Sequence, residues 1–151
     1  MSGENKLSQS IIDRIDELHA VAPGSIGDQM EYRLIDWDDD TGKYVFRCKT
    51  FSWMRNGPGT LHGGMCATVI DQAMGFVAYC AKPGEGIAPT VSMQVSYHRA
   101  LIPGQDVTVT VRVLSITRSL MHFTAEAAQT QTPDKLCLSG SATYFYKSAA
   151  N

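Results

Sequence analysis

The sequence predicts an α+β fold in which an antiparallel sheet wraps around one long central helix, with a further helix at the N-terminus. Three observations predict it. Residues 63–81 form an apolar run whose only charged side chain is Asp71. Residues 91–98, 107–113, 121–130 and 135–147 read as strands set between turn signals. Residues 6–19 place apolar side chains at helical spacing.

Taken in order, the N-terminal helix (about 6–19) aligns Ile11, Ile12, Ile15 and Leu18 on one face, with Ser8 or Ser10 to cap its start. Pro23 and Gly24 end it. Residues 28–37 and 43–52 read as two strands joined by Asp38 to Gly42, a hairpin turn whose aspartates face water. Arg55 to Thr60 is a loop rich in glycine and proline. The central helix (about 63–81) is apolar nearly all round, as enclosure by a sheet requires, and Lys82 to Gly86 breaks it. Beyond it, Val91, Met93, Val95 and Tyr97 alternate with Ser92, Gln94, Ser96 and His98. Pro103-Gly104 turns the chain into Val107, Val109, Val111 and Val113, and Thr132-Pro133-Asp134 separates the last two strands. No repeat or linker divides the chain, so residues 1–151 are expected to form one domain.

Composition narrows the function. With 151 residues, 44% of them apolar, and a net charge of -2, the chain has material for a core and no basic surface for nucleic acid. The apolar helix holds Asp71 and Gln72 at its middle. A carboxylate at a bilayer centre costs about 2.5–3.5 kcal/mol, which argues against a membrane span. Cys48, Cys66, Cys80 and Cys137 show no C-x-x-C spacing and no histidine cluster, so no metal site is expected. The opening MSGENKLSQS lacks the basic-then-apolar start of a leader, and a reducing cytoplasmic setting follows.

The chemistry concentrates between Asn56 and Gly75. A carboxylate alone in an apolar helix is costly unless it is hydrogen-bonded or used. Gly63 and Gly64 stand where that helix begins, and the first turn of a helix presents unpaired N–H groups backed by the helix dipole. Glycine lets a ligand approach those donors, which suits them to polarise a thioester carbonyl. Asp71 lies seven residues beyond Gly64, about 10 Å at ~1.5 Å per residue. Attack needs reacting atoms about 3–3.5 Å apart. If both groups serve one reaction, they must come from different subunits, and two antiparallel helices across a two-fold axis bring them together. Arg99, Arg118 and Ser119 are candidates for phosphate contacts, or else ordinary strand-end polar groups. Met54, Met65, Met74, Met93 and Met121 can line an acyl pocket or fill the core.

The motif Leu61-His62-Gly63-Gly64, followed by Ala67, Thr68 and Asp71, resembles the signature of hotdog-fold acyl-CoA thioesterases. The nearest type is the PaaI-like group, with its phenylacetyl-CoA thioesterases and the human thioesterase superfamily member. The resemblance spans roughly residues 25–147 and leaves the N-terminal helix outside. It implies a hotdog fold, an acyl-CoA substrate with no cofactor beyond the coenzyme A it carries, and a homodimer that often pairs into a homotetramer. It implies that Asp71 acts as general base or nucleophile and that the Gly63 N–H polarises the carbonyl bound to the other subunit. It gives Asn56 a part in holding the carbonyl or the water, and Thr90 a part in steadying the water. His62 is either a contact near the thioester or a structural turn residue. Pro58 departs from the pattern by stiffening the approach to His62, and His98 is no part of it.

Two other functions remain open on the sequence. A hotdog enoyl-CoA hydratase or dehydratase pairs its carboxylate with a catalytic histidine in a different arrangement, and Asp71 has none on its own helix. A non-catalytic acyl-CoA-binding protein would hold the same ligand without releasing thiol.

Overall fold

The computed structural model describes residues 6–82, 84 and 86–148. The first five residues lie outside it, as do Pro83 and Glu85 of the expected helix-breaking segment. The chain runs α1 (Leu7–Val21), α2 (Ile26–Gln29), β1 (Arg33–Asp38), β2 (Lys43–Cys48), a 3-10 turn (Ser52–Met54), α3 (Gly63–Cys80), β3 (Gly86–Ile87), β4 (Thr90–Tyr97), β5 (Val107–Ile116), β6 (Leu120–Gln129), β7 (Leu138–Phe145) and β8 (Lys147–Ser148).

Six strands form one antiparallel sheet in the order β1-β2-β5-β6-β7-β4, and β3 pairs with β8 apart from it. Period-two alternation sends Tyr44, Phe46, Val109, Val111, Phe123 and Tyr144 to the inner face, where all are buried. Val69, Ile70, Ala73, Met74 and Val77 of α3 are fully buried against them, each large side chain contributing about 1.5–3 kcal/mol. The helix comes close to the sheet at Gly140, where a Cβ would lie 2.7 Å from both Ile70 Cδ1 and the Gln94 carbonyl oxygen. This is the hotdog arrangement expected from the sequence. Met54, Met74 and Met121 are buried in its core. Burial pushes the Cys48 and Cys66 thiols up to about 12 and about 11, so both act as small hydrophobes. Among the described residues no helix is long and apolar enough to cross a membrane.

Four local features differ from expectation. Neither Ser8 nor Ser10 caps α1, which starts after Lys6 without a side-chain cap. Ser8 instead donates to Asp39 through its N–H (3.0 Å) and its hydroxyl (2.6 Å), and Tyr44 Oη donates to Asp39 at 3.0 Å. The acidic turn is therefore only partly a solvated hairpin. Asp38 closes it by accepting the Asp40 and Thr41 N–H groups, with Gly42 at φ +70°, while Asp39 ties α1 to the sheet. Burial acts to raise the Asp39 carboxyl, but its Ser8 and Tyr44 donors outweigh burial and hold it below the usual range. The segment expected to open the first strand at residue 28 begins as α2, because the Ser25 hydroxyl accepts the Asp28 N–H at 3.4 Å and caps a helical turn.

The fourth difference bears on function. A bulge between Thr90 and Ser92 shifts the register of β4 against β7, so that Thr90 faces Tyr144 and Met93 faces Ala142. Thr90, Met93, Val95 and Tyr97 share the helix-facing side, and Val91 is the extra residue. Bulges re-aim side chains in this way.

Candidate active site

Asp71 lies half-buried in the middle of α3. Its Oδ1 accepts hydrogen bonds from Thr90 Oγ1 at 2.9 Å and from Tyr144 Oη at 2.7 Å. Tyr144 Oη also lies 2.9 Å from the Asp71 carbonyl oxygen, so its one proton is shared between two acceptors on the same residue. Among the described residues Oδ2 has no hydrogen-bond partner. Burial, and next the Asp71 carboxylate, push the Tyr144 phenol far above its ordinary range, so it stays protonated and donates. The register pair Thr90–Tyr144 delivers both hydroxyls from neighbouring strands to one carboxylate oxygen.

The start of α3 supplies a second feature. His62 is its N-cap, and His62 Nδ1 accepts the Gly64 N–H at 3.0 Å. The Gly64 donor is thereby occupied. The Gly63 N–H at the first helical position has no acceptor among the described residues. The Gly63 carbonyl accepts from Tyr97 Oη at 2.7 Å. A Cβ on Gly63 would meet nothing nearer than Tyr97 Oη at 3.6 Å, an ordinary contact. The packing of the chain itself therefore does not require glycine there. Asn56 is engaged with its own loop: its Oδ1 accepts the Thr60 N–H at 2.9 Å and its Nδ2 donates to Thr60 Oγ1 at 2.8 Å. Asn56, Gly63, Tyr97, His98 and Arg99 line a cavity of about 300 Å³ at this helix end. Hollows of about 470 Å³ beside α1 and about 440 Å³ on the outer sheet face include neither Asp71 nor Gly63.

The structure thus brings Asp71 to Thr90 and, separately, Gly63 to Asn56, His62 and Arg99. It does not bring the two groups together within one chain. Gly63 and Asp71 are eight residues apart on one helix, about 12 Å along its axis. Arg99 follows the Tyr97 end of β4, whereas Arg118 and Ser119 lie in the β5–β6 turn beside Phe145. The β7 span between Leu138 and Phe145 separates those ends by about 24 Å at ~3.4 Å per residue. Sequence reasoning missed Tyr144 and Tyr97. The signal for Tyr144 was the carboxylate itself: a half-buried Asp in an apolar helix needs donors, and the facing strand supplies a tyrosine.

The Thioesterase superfamily model matches residues 58–134, half of the chain. The chain belongs to the Thioesterase superfamily. That match takes in the His62-Gly63-Gly64 helix start, Asp71, Thr90 and both candidate arginines, but neither Asn56 nor Tyr144. The chain is 32% identical over 101 residues to human acyl-coenzyme A thioesterase 13, covering 66% of this chain and 69% of that protein. Among solved structures, zebra fish thioesterase superfamily member 2 superposes with a TM-score of 0.71 at 26% identity, over 94% of this chain and 99% of the other. The E. coli PaaI protein from the phenylacetic acid degradation operon gives a TM-score of 0.71 at 17% identity, over 91% and 96% of the two chains, a likeness of fold. The chain is a thioester hydrolase with the hotdog fold.

Proposed function

We propose that this thioesterase hydrolyses an aryl- or fatty-acyl-CoA to the free acid and CoA, in a reducing cytoplasm, with no cofactor besides the CoA of its substrate. The observation that carries the mechanism is the Asp71 carboxylate, held through Oδ1 by two hydroxyls and open at Oδ2. Oδ2 takes a proton from water as the water oxygen attacks the thioester carbon. The Gly63 N–H of the partner subunit receives the oxyanion. The C–S bond then breaks, the CoA thiolate leaves, and the proton passes from Asp71 to the products.

A homodimer is needed to complete this site, and β4 suggests how it forms. β4 is an edge strand with one side unpaired. Its Val91 and Tyr97 are 59% and 55% exposed, although Tyr97 is on the helix-facing side. Antiparallel pairing of β4 with its copy sets the Thr90 end of one strand beside the Tyr97 end of the other. Thr90 marks the position of Asp71, and Tyr97 marks that of Gly63. Each Asp71 thereby approaches the partner subunit's Gly63. The same symmetry places Arg118 and Ser119 on the side of the partner subunit's Arg99, where together they serve the CoA phosphates. In this reading Asn56 acts through the loop it closes, His62 by shaping the helix start, and Thr90 by steadying the carboxylate.

A hydratase arrangement has less support, because no histidine touches the Asp71 side chain among the described residues. Thiol release from a panel of aryl- and fatty-acyl-CoA substrates, run with wild type and Asp71→Asn, tests the proposal. Hydrolysis by wild type and its loss in the variant are expected. Loss of enoyl absorbance from crotonyl-CoA without thiol release would replace hydrolysis by hydration.

A further inference from the structure

We propose that Tyr144 is the positioning residue that fixes the catalytic carboxylate, leaving Oδ2 as its working oxygen. The inference rests on the reading of Asp71 as the base. A buried tyrosine needs a partner for its hydroxyl, and the Asp71 carbonyl at 2.9 Å would meet that need by itself. The hydroxyl also approaches Oδ1, and more closely, at 2.7 Å. That is the ordinary length of a well-formed O–H···O hydrogen bond. Contact with both the main chain and the side chain of one residue restrains the Asp71 rotamer. The phenol ring is itself held edge-on against Phe123, with centroids 5.6 Å apart, so the donor cannot follow a moving carboxylate.

Among the described residues Asp71 forms no salt bridge. Thr90 approaches from β4 and Tyr144 from β7. Tyr32, at the entry to β1, donates to the Val69 carbonyl at 2.8 Å, and its burial keeps that phenol neutral. Arg14 of α1 lies over Tyr79, two turns further along α3. Two neutral hydroxyls on Oδ1 are therefore what hold the Asp71 side chain from within the chain.

Tyr144→Phe keeps the ring packing and removes one donor. It should show kcat reduced about tenfold, the size expected for a lost hydrogen bond to a charged group, with KM within about twofold of wild type, since Tyr144 touches no substrate. Site-specific 3-fluorotyrosine at position 144 keeps both ring and donor, so it should restore kcat to within about twofold of wild type. A kcat unchanged in Tyr144→Phe, a kcat equally low in both variants, or a loss carried by KM would overturn the role of Tyr144. Asp71→Asn, assayed alongside, separates the two claims: its inactivity with unmoved tyrosine variants removes Tyr144 alone, whereas its full activity removes the base.

Discussion

Replacing Gly63 with alanine should stabilise the protein and cost it activity. The added Cβ meets Tyr97 Oη at 3.6 Å and two Tyr97 ring carbons at 3.8 Å, which are ordinary contacts, and Gly63 has no positive φ. Gly→Ala at a compatible site stabilises by about 0.4–1 kcal/mol, chiefly by restricting the unfolded chain. For a protein of this size that is a rise in Tm of about 1–4 °C. The same methyl crowds the approach to the Gly63 N–H. The loss in kcat/KM should therefore approach the roughly 10²–10³-fold cost of one missing oxyanion donor. Thermal unfolding and thiol release on one preparation read both effects. Unchanged kcat/KM in a stabilised protein would show that substrate does not use the space beside Gly63. Destabilisation by more than about 1 kcal/mol would show that the local packing has been misjudged.

Asp71→Asn should lower kcat by about 10²–10⁴-fold, the range for loss of a general base, with unfolding little changed. Gly140→Ala should destabilise by about 1–3 kcal/mol in urea titrations, because its Cβ meets Ile70 Cδ1 and a backbone oxygen at 2.7 Å. Ser8→Ala should cost about 1 kcal/mol at neutral pH by removing a donor from Asp39. The folded-state value of Asp39 is depressed, so the stability it brings is present above the ordinary aspartate range and fades as pH falls through the lower folded value. Chemical unfolding of wild type and Ser8→Ala should therefore converge at acid pH.

The central helix was legible because an apolar run bounded by Gly63 and a breaker leaves few alternatives, and the observed α3 ends one residue short of expectation. The strands followed from alternation, although the last one breaks into β7 and β8 at Tyr146. Asp71 and Gly63 were legible because each is out of place in its surroundings: a charge among apolar residues, and a glycine at a helix start. Thr90 was harder, since strict alternation put Val91 on the helix side, and only the bulge turns Thr90 to Asp71. No periodicity signals a bulge. Tyr144 was hidden because an aromatic residue at an inward strand position satisfies the core pattern whether or not its hydroxyl is used. Asp39 was read as turn chemistry because its partner Ser8 is 31 residues away, and a turn motif is local. Arg99 and Arg118 share a plausible chemistry, but residue type carries no information about which end of the sheet each occupies.

The central claim is that Asp71 and Gly63 act together across a subunit interface. Two inactive variants test it: Asp71→Asn, and Gly63→Pro, which removes the N–H at a helix position where proline is tolerated. In a mixed dimer, one site receives both defects and the other receives none if the residues act across the interface. Unfolding and refolding the two variants together at equal amounts should restore thiol release to about a quarter of wild type, since about half the dimers are mixed and each carries one intact site of two. If Asp71 and Gly63 of the same chain form the site, every site keeps a defect and the mixture stays inactive.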